Sequence, residues 1–429
     1  MGSVGDREGP VAVVGAGLIG LFSAHYLLEQ GRRVTLFDRD GQAGGGASRV
    51  NAGWVCPARS DPLPSWEVVG DGLRSLVSPG GGSFMLSPTA LPGVVGYLTR
   101  FLRRSTTSSH ARAWDELDTL SARTAGLFDE LVSRGIIGGL QDEGFLMLHP
   151  SRQEAEASRA ALVAVSARGL SPAPGPLLGR GALLELEPGL GTAAQCGFLH
   201  RGDRWLDPSR LVDAMTDSLV ARGATLVTGA PVAAVRQVGD RVELDTAAGT
   251  VDAAHAVVAA GAWSEKLLRQ LGLRGFVIPG KGYSFTAHPD RPLTHILRLG
   301  GTHVGVTPLG ETARVVGMME IDGTFDLFNR DRIDYMKRKA APYLSGIDWQ
   351  ACTDERVAPR PMTPDGKPLI GPVPGSERVV VATGHNMLGL SLAAATGTLV
   401  ADLVRRGPAA GPTAFDPSRF QMRRKGVRR

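Results

Sequence analysis

Four small or β-branched apolar residues follow one another from Val11 to Val14, with no polar interruption, and read as a strand buried on both faces. A glycine-rich turn comes next (Gly15-Ala16-Gly17-Leu18-Ile19-Gly20), then apolar positions at helical spacing as far as residue 30. A second apolar run, Val34 to Phe37, ends on Asp38. Strand, turn, helix and strand in this order predict a dinucleotide-binding unit. Gly15 permits the tight turn, Gly17 lets backbone approach a pyrophosphate, and Gly20 lets the helix lie close to the strand. The pyrophosphate rests on free N–H groups of the helix N-terminus, formed by residues Gly15 to Gly20. Asp38 is placed to accept hydrogen bonds from ribose hydroxyls, and Arg39 beside it belongs to the same end of the site. The fingerprint alone leaves NAD and FAD both open.

The segment 39–53, which contains Gly44-Gly45-Gly46-Ala47-Ser48 and ends Asn51-Ala52-Gly53, is too flexible for a core element and reads as a second loop wrapping the cofactor. Residues 61–91, rich in Pro, Gly and Ser, read as the exit from the first domain. Helices are predicted at 91–104, 110–134 and 151–168, with a strand at 144–149 between the last two. Asp207-Pro208-Ser209 caps a helix that runs to about residue 222. The alternating stretches ATLVTGAPVAAVRQ, RVELDTA and HAVVAAGAW read as an antiparallel insertion and a returning central strand, which ends at Ala260-Gly261. KGYSFTA, HVGVTP and RVVGMMEI are strands of a second, mixed region. Strand 379–382 then runs through Gly384, Met387, Leu388 and Gly389 into a small-residue helix ending near residue 404. This gives the cleft a second helix N-terminus able to stabilise negative charge on a cofactor ring.

The chain has 429 residues, enough for two domains, and a hydrophobic share of 43%. No stretch of 18 uninterrupted apolar residues predicts a membrane span, and no secretory leader is recognisable, so a cytoplasmic protein is expected. Residues 1–9 read as a polar, disordered leader. The formal net charge of +5 owes much to the arginines of the last seven residues, read as a solvated tail, so no nucleic-acid partner is expected. Cys56, Cys196 and Cys352 make no metal-binding spacing, and no metal is expected.

Taken together, GAGLIG, ASRVNAG, PGKGYSF, RVVGMMEI, PRPMTPDGKPLIG and ATGHNMLGLSLAAATG resemble, in order and over residues 11 to about 404, the glycine and D-amino-acid oxidase family of FAD enzymes. The resemblance is strongest to its bacterial D-amino-acid dehydrogenase branch. It implies an α/β fold in which a Rossmann-like FAD domain (residues 10–60, 205–262 and 356–405) carries a mixed α+β substrate domain (61–204 and 263–355), followed by a basic tail (406–429). It implies FAD on the fingerprint and on Ala47, Ser48, Asn51, Ala52 and Gly53. Val232 meets the adenine side through its backbone, and Met387 to Gly389 face the pyrimidine edge of the flavin. The family's carboxylate-binding Arg of Gly-x-Arg-Pro maps to Arg360, here in Ala358-Pro359-Arg360-Pro361 without the glycine. His303 and Tyr283 map to the substrate cavity, as does Glu320 unless it caps a strand edge. Ala358 stands where covalent members carry Cys, which implies non-covalent FAD.

The expected activity is oxidation of the C–N bond of an amino acid by hydride transfer to flavin N5. The resulting imine hydrolyses to an oxo acid, and O2 or a quinone reoxidises the flavin. A secondary-amine oxidase acting on sarcosine, glycine or proline-like imino acids, a FAD-binding subunit of a larger dehydrogenase, and a flavoprotein hydroxylase are the alternatives. Side-chain preference, stereochemistry and oligomeric state are left open by the sequence.

Overall fold

The computed structural model describes residues 9–57, 61–77, 82–407 and 413–420. The polar leader at 1–8 and the terminal arginine run at 421–429 lie outside the described residues. Unbroken apolar runs build the first sheet, of six strands in the order Leu369–Pro372, Val379–Thr383, His255–Val258, Val11–Val14, Val34–Phe37 and Thr225–Val227. All neighbours are parallel except the first pair, which is antiparallel. Val11–Val14 and His255–Val258 are buried throughout, as strands covered on both faces must be.

One face is covered by the helices Leu18–Glu29, Pro208–Ala221 and Gly389–Arg406. The last reaches the first closely because Gly397 has no Cβ, and an added one would lie 2.6 Å from the Phe22 carbonyl oxygen. The three-stranded antiparallel sheet Val232–Val238, Arg241–Thr246 and Gly249–Ala253 packs on the other face with helix Ser264–Gln270. Thr225–Val227, expected in that insertion, instead closes the edge of the parallel sheet.

The second sheet has nine strands. Thr353–Met362 lies at its edge, followed by Ile278–Ala287, Thr312–Ile321, Val304–Leu309, Ile296–Leu299, Phe145–His149, Cys196–His200 and Leu178–Gly179. Phe84–Leu86 pairs separately with Thr312–Ile321.

Three further expectations change. The stretch 61–91 is not a plain linker, because it forms helix Trp66–Val77 as well as strand Phe84–Leu86. Val68 and Val69 of that helix pack on a cluster containing Val94, Tyr97, Phe101, Met319 and Met362, a burial that outweighs the surrounding Pro and Gly. The single helix at 110–134 is two, Thr107–Ser121 and Thr124–Ser133, the first capped by the Thr106 hydroxyl, which accepts from Ser109 N–H. Finally, Leu117, Leu120, Phe128 and Leu131 of these two helices join the core of the parallel sheet, on the opposite side of the division expected at residue 61. Among the described residues no helix is long and apolar enough to cross a membrane.

Candidate active site

The carboxyl ends of Val11–Val14, Val34–Phe37 and His255–Val258 open into a cleft of about 1360 Å³ that continues to the face of the second sheet. Ligand sites commonly run to about 1,000 Å³, so this one has room for a dinucleotide and a second molecule. Gly15, Gly17, Leu18, Ile19, Asp38, Arg39, Ala47, Ser48, Asn51, Ala52, Val232, Ala260, Gly261, Met387, Leu388 and Gly389 line it, as do Tyr283, His303 and Arg360. Ala16, Gly20, Gly53 and Gly384, expected to touch the cofactor, are not among the lining residues. They shape the wall from behind. A Cβ on Gly20 would stand 1.9 Å from the Gly15 carbonyl oxygen, and Gly53 and Gly384 adopt φ of 74° each.

At the fingerprint end, the loop 47–53 is fastened to the helix. Ser48 Oγ accepts from Leu18 N–H at 3.0 Å, Asn51 Nδ2 donates to the Ser48 carbonyl at 2.7 Å, and Asn51 Oδ1 accepts from Gly53 N–H at 2.7 Å. Asp38, expected at a ribose, is tied into the turn itself. Its two oxygens accept from Ala16 N–H (2.6 Å) and Asp40 N–H (2.9 Å), fixing the turn while keeping one lone pair each for a ligand. Burial lifts its pKa against the pull of those donors. Arg39 lies 3.8 Å from the Trp263 ring centroid, and Trp263 stacks on Phe325 with centroids 5.6 Å apart. Neither aromatic was singled out from the sequence. Trp263 could have been, since it follows Gly261 just past a strand end, where ligands bind in open α/β sheets.

Helix Leu18–Glu29 starts at Gly17 with no side chain of its own as cap, and Gly389–Arg406 starts at Leu388 likewise. Neither has an acidic residue in its first turn, so two positive helix ends meet one cleft. With the glycine cradle and Asp38, this fits a pyrophosphate and, at the far end, a ring that gains negative charge. Ala358 lines the cleft and offers no atom to which a flavin could be tethered. Acid or heat should therefore release all of the flavin from the protein. Flavin remaining on the denatured chain is the contrary result.

On the second sheet, Arg360 stands between two prolines on the edge strand Thr353–Met362. Residues 359 and 361 face away from the neighbouring strand, since the Pro361 carbonyl accepts from Asn386 N–H at 3.0 Å. The guanidinium lies over Gly282, where a Cβ would be 2.2 Å from Cζ, and Nη1 donates to the Met318 carbonyl at 2.9 Å. Among the described residues no carboxylate pairs with it, and burial brings its pKa down to about 10. A cation whose partners among the described residues are one carbonyl and, weakly, one thioether sulfur, set in a cleft wall, is prepared for an anion.

Tyr283 is buried and donates its hydroxyl proton to Glu320. Burial first, and Glu320 second, raise its pKa, so it stays a phenol and is no base at neutral pH. Glu320 does not cap a strand edge. It belongs to a buried charge cluster with Lys281 Nζ at 3.2 Å, Arg332 Nε at 3.7 Å and Asn329 Nδ2 at 3.1 Å, while Lys281 also reaches Asp322 at 2.6 Å. His303 sits exposed on the cleft rim with φ of 54°, in the turn between Ile296–Leu299 and Val304–Leu309.

Asn51→Leu removes the side chain that ties both ends of the 47–53 loop, so the purified variant should carry less flavin per chain, read from its absorbance, while remaining folded by circular dichroism. Full flavin content in this variant is the contrary outcome.

The family model described as FAD dependent oxidoreductase, DAO, matches residues 10–403. A D-amino acid dehydrogenase of Methylobacterium nodulans is 29% identical over 92% of this chain and 94% of its own. Another from Cereibacter sphaeroides is 28% identical over 92% and 91%. Among solved structures, glycine oxidase from Geobacillus kaustophilus superposes with a TM-score of 0.71 at 27% identity, covering 97% of this chain and 99% of that one.

Proposed function

This chain belongs to the DAO family of FAD-dependent oxidoreductases, and from that premise we propose that it oxidises the C–N bond of an amino acid, D-configured as in the substrates its relatives are named for. The observation that carries this reading is Arg360, a cation in the cleft wall with no carboxylate partner among the described residues. Its planar fork holds the substrate carboxylate by two parallel N–H···O bonds, which fixes the Cα–H bond in one direction. Bound FAD supplies the hydride acceptor, and the imine left behind hydrolyses to an oxo acid. Ser48, Asn51 and the N-terminus of Leu18–Glu29 hold the pyrophosphate. The N-terminus of Gly389–Arg406 stabilises charge at the ring. Tyr283, whose hydroxyl donates a hydrogen bond to Glu320, keeps oxygen lone pairs that can accept an N–H of the substrate amine, which must be neutral when the hydride leaves.

Anaerobic mixing of the holoenzyme with D-, L- and N-methyl amino acids tests this. Bleaching of the flavin by D-amino acids without NAD(P)H is expected. Bleaching only by N-methyl compounds supports the secondary-amine alternative, and a requirement for NAD(P)H supports a hydroxylase.

A further inference from the structure

Resting on the assignment of Arg360 to a substrate carboxylate, we infer that the substrate carries a long or bulky, mainly apolar side chain and is not glycine, sarcosine or another compact amine. Beyond the guanidinium the cleft wall carries an apolar patch, set among residues that also include Asp61, Ser65, Asp71 and His110. Met318 gives Arg360 its carbonyl, and Met319 Sδ lies 3.9 Å from Nη1. Phe84 pairs with Met319 across the ladder between Phe84–Leu86 and Thr312–Ile321. Helix Trp66–Val77 packs over that ladder and adds Val68, with Leu63 just before it. Leu63, Val68, Phe84 and Met319 belong to one apolar cluster, and with Met318 all of them line the same cleft as Arg360. A carboxylate held at Arg360 leaves a glycine-sized substrate with this wall uncovered. A side chain of several carbons covers it and removes both surfaces from water. Asp61, Glu67 and Asp71, on the same stretch of chain as Val68, also line the cleft and repel an acidic side chain.

The test uses the holoenzyme with glycine and the D and L forms of alanine, leucine, methionine, phenylalanine and aspartate, at one fixed acceptor. Each methylene in a fitted apolar pocket is worth about tenfold or more in discrimination, so leucine or methionine should exceed glycine in kcat/KM by at least about a hundredfold, with aspartate poor. Val68→Trp, which fills the lobe, should lower the leucine-to-alanine ratio by at least about tenfold, and Val68→Ala, which enlarges it, should raise the phenylalanine-to-leucine ratio. The second variant decides the matter if the first does not retain flavin. Glycine turned over as well as leucine, or ratios indifferent to residue 68, overturn the inference while leaving the amino-acid reading standing. A flavin that no amino acid reduces overturns both.

Discussion

Arg360→Ala should lower kcat/KM for the amino acid substrate by roughly two to four powers of ten, with the flavin content near that of the unaltered protein. Removing one partner of a desolvated ion pair costs about 3–5 kcal/mol, because the other charge stays buried and unpaired. The guanidinium has few other tasks here. It makes one bond to a carbonyl and a weak contact with the Met319 sulfur and lies over Gly282, and the residues proposed to hold the pyrophosphate are on other elements. Arg360→Lys should recover only part of the loss, since an ammonium gives a point charge without the fork. An amine without a carboxylate should lose far less than the amino acid does, and this comparison separates anchoring from general damage. Equal losses for both substrates, or a variant that arrives without flavin, make Arg360 a structural residue and remove the main support for the amino-acid assignment.

Gly17→Val should weaken FAD binding by roughly five- to 150-fold, the equivalent of about 1–3 kcal/mol of overpacking. The first added carbon lies 3.0 Å from Ser48 Oγ, the atom that caps the fingerprint helix through Leu18 N–H. Two further methyl groups take the space the phosphates need and push the 47–53 loop away, and Asn51 then no longer ties that loop where the cofactor meets it. Titration of the stripped protein with FAD measures the constant directly. The thermal midpoint should fall for the loaded variant and approach that of the stripped one, as mass action requires when less cofactor is bound. An unchanged FAD affinity means that this turn does not approach the phosphates.

The fingerprint was legible because its constraints are local. A φ of 105° at Gly15 and the absence of a Cβ at Gly20 are requirements of one turn, written in consecutive residues. Helix Trp66–Val77 was not legible, since prolines and glycines surround it and two glycines lie inside it. Its existence rests on burial against strands more than two hundred positions away. The edge strand Thr353–Met362 was obscured by Pro359 and Pro361, residues that argue against a central strand and are tolerated only at an edge. Arg360 itself was found through resemblance, while its lack of a carboxylate partner among the described residues is a property of packing. The break between Thr107–Ser121 and Thr124–Ser133 carries no Gly or Pro, so only the folded chain reveals it.

That edge strand also bears on how the protein behaves in a crowded solution. An exposed strand edge is a backbone template on which another polypeptide can add itself, and an edge strand of 10 residues would offer a long one. At the outward-facing positions 359 and 361 there is no N–H to offer, and the carbonyl of 361 is already taken by Asn386. Pro359 is buried and Pro361 half-buried, so along the stretch that carries Arg360 the border is closed both by the missing N–H groups and by the chain packed over it, and it offers no template for intermolecular β-pairing.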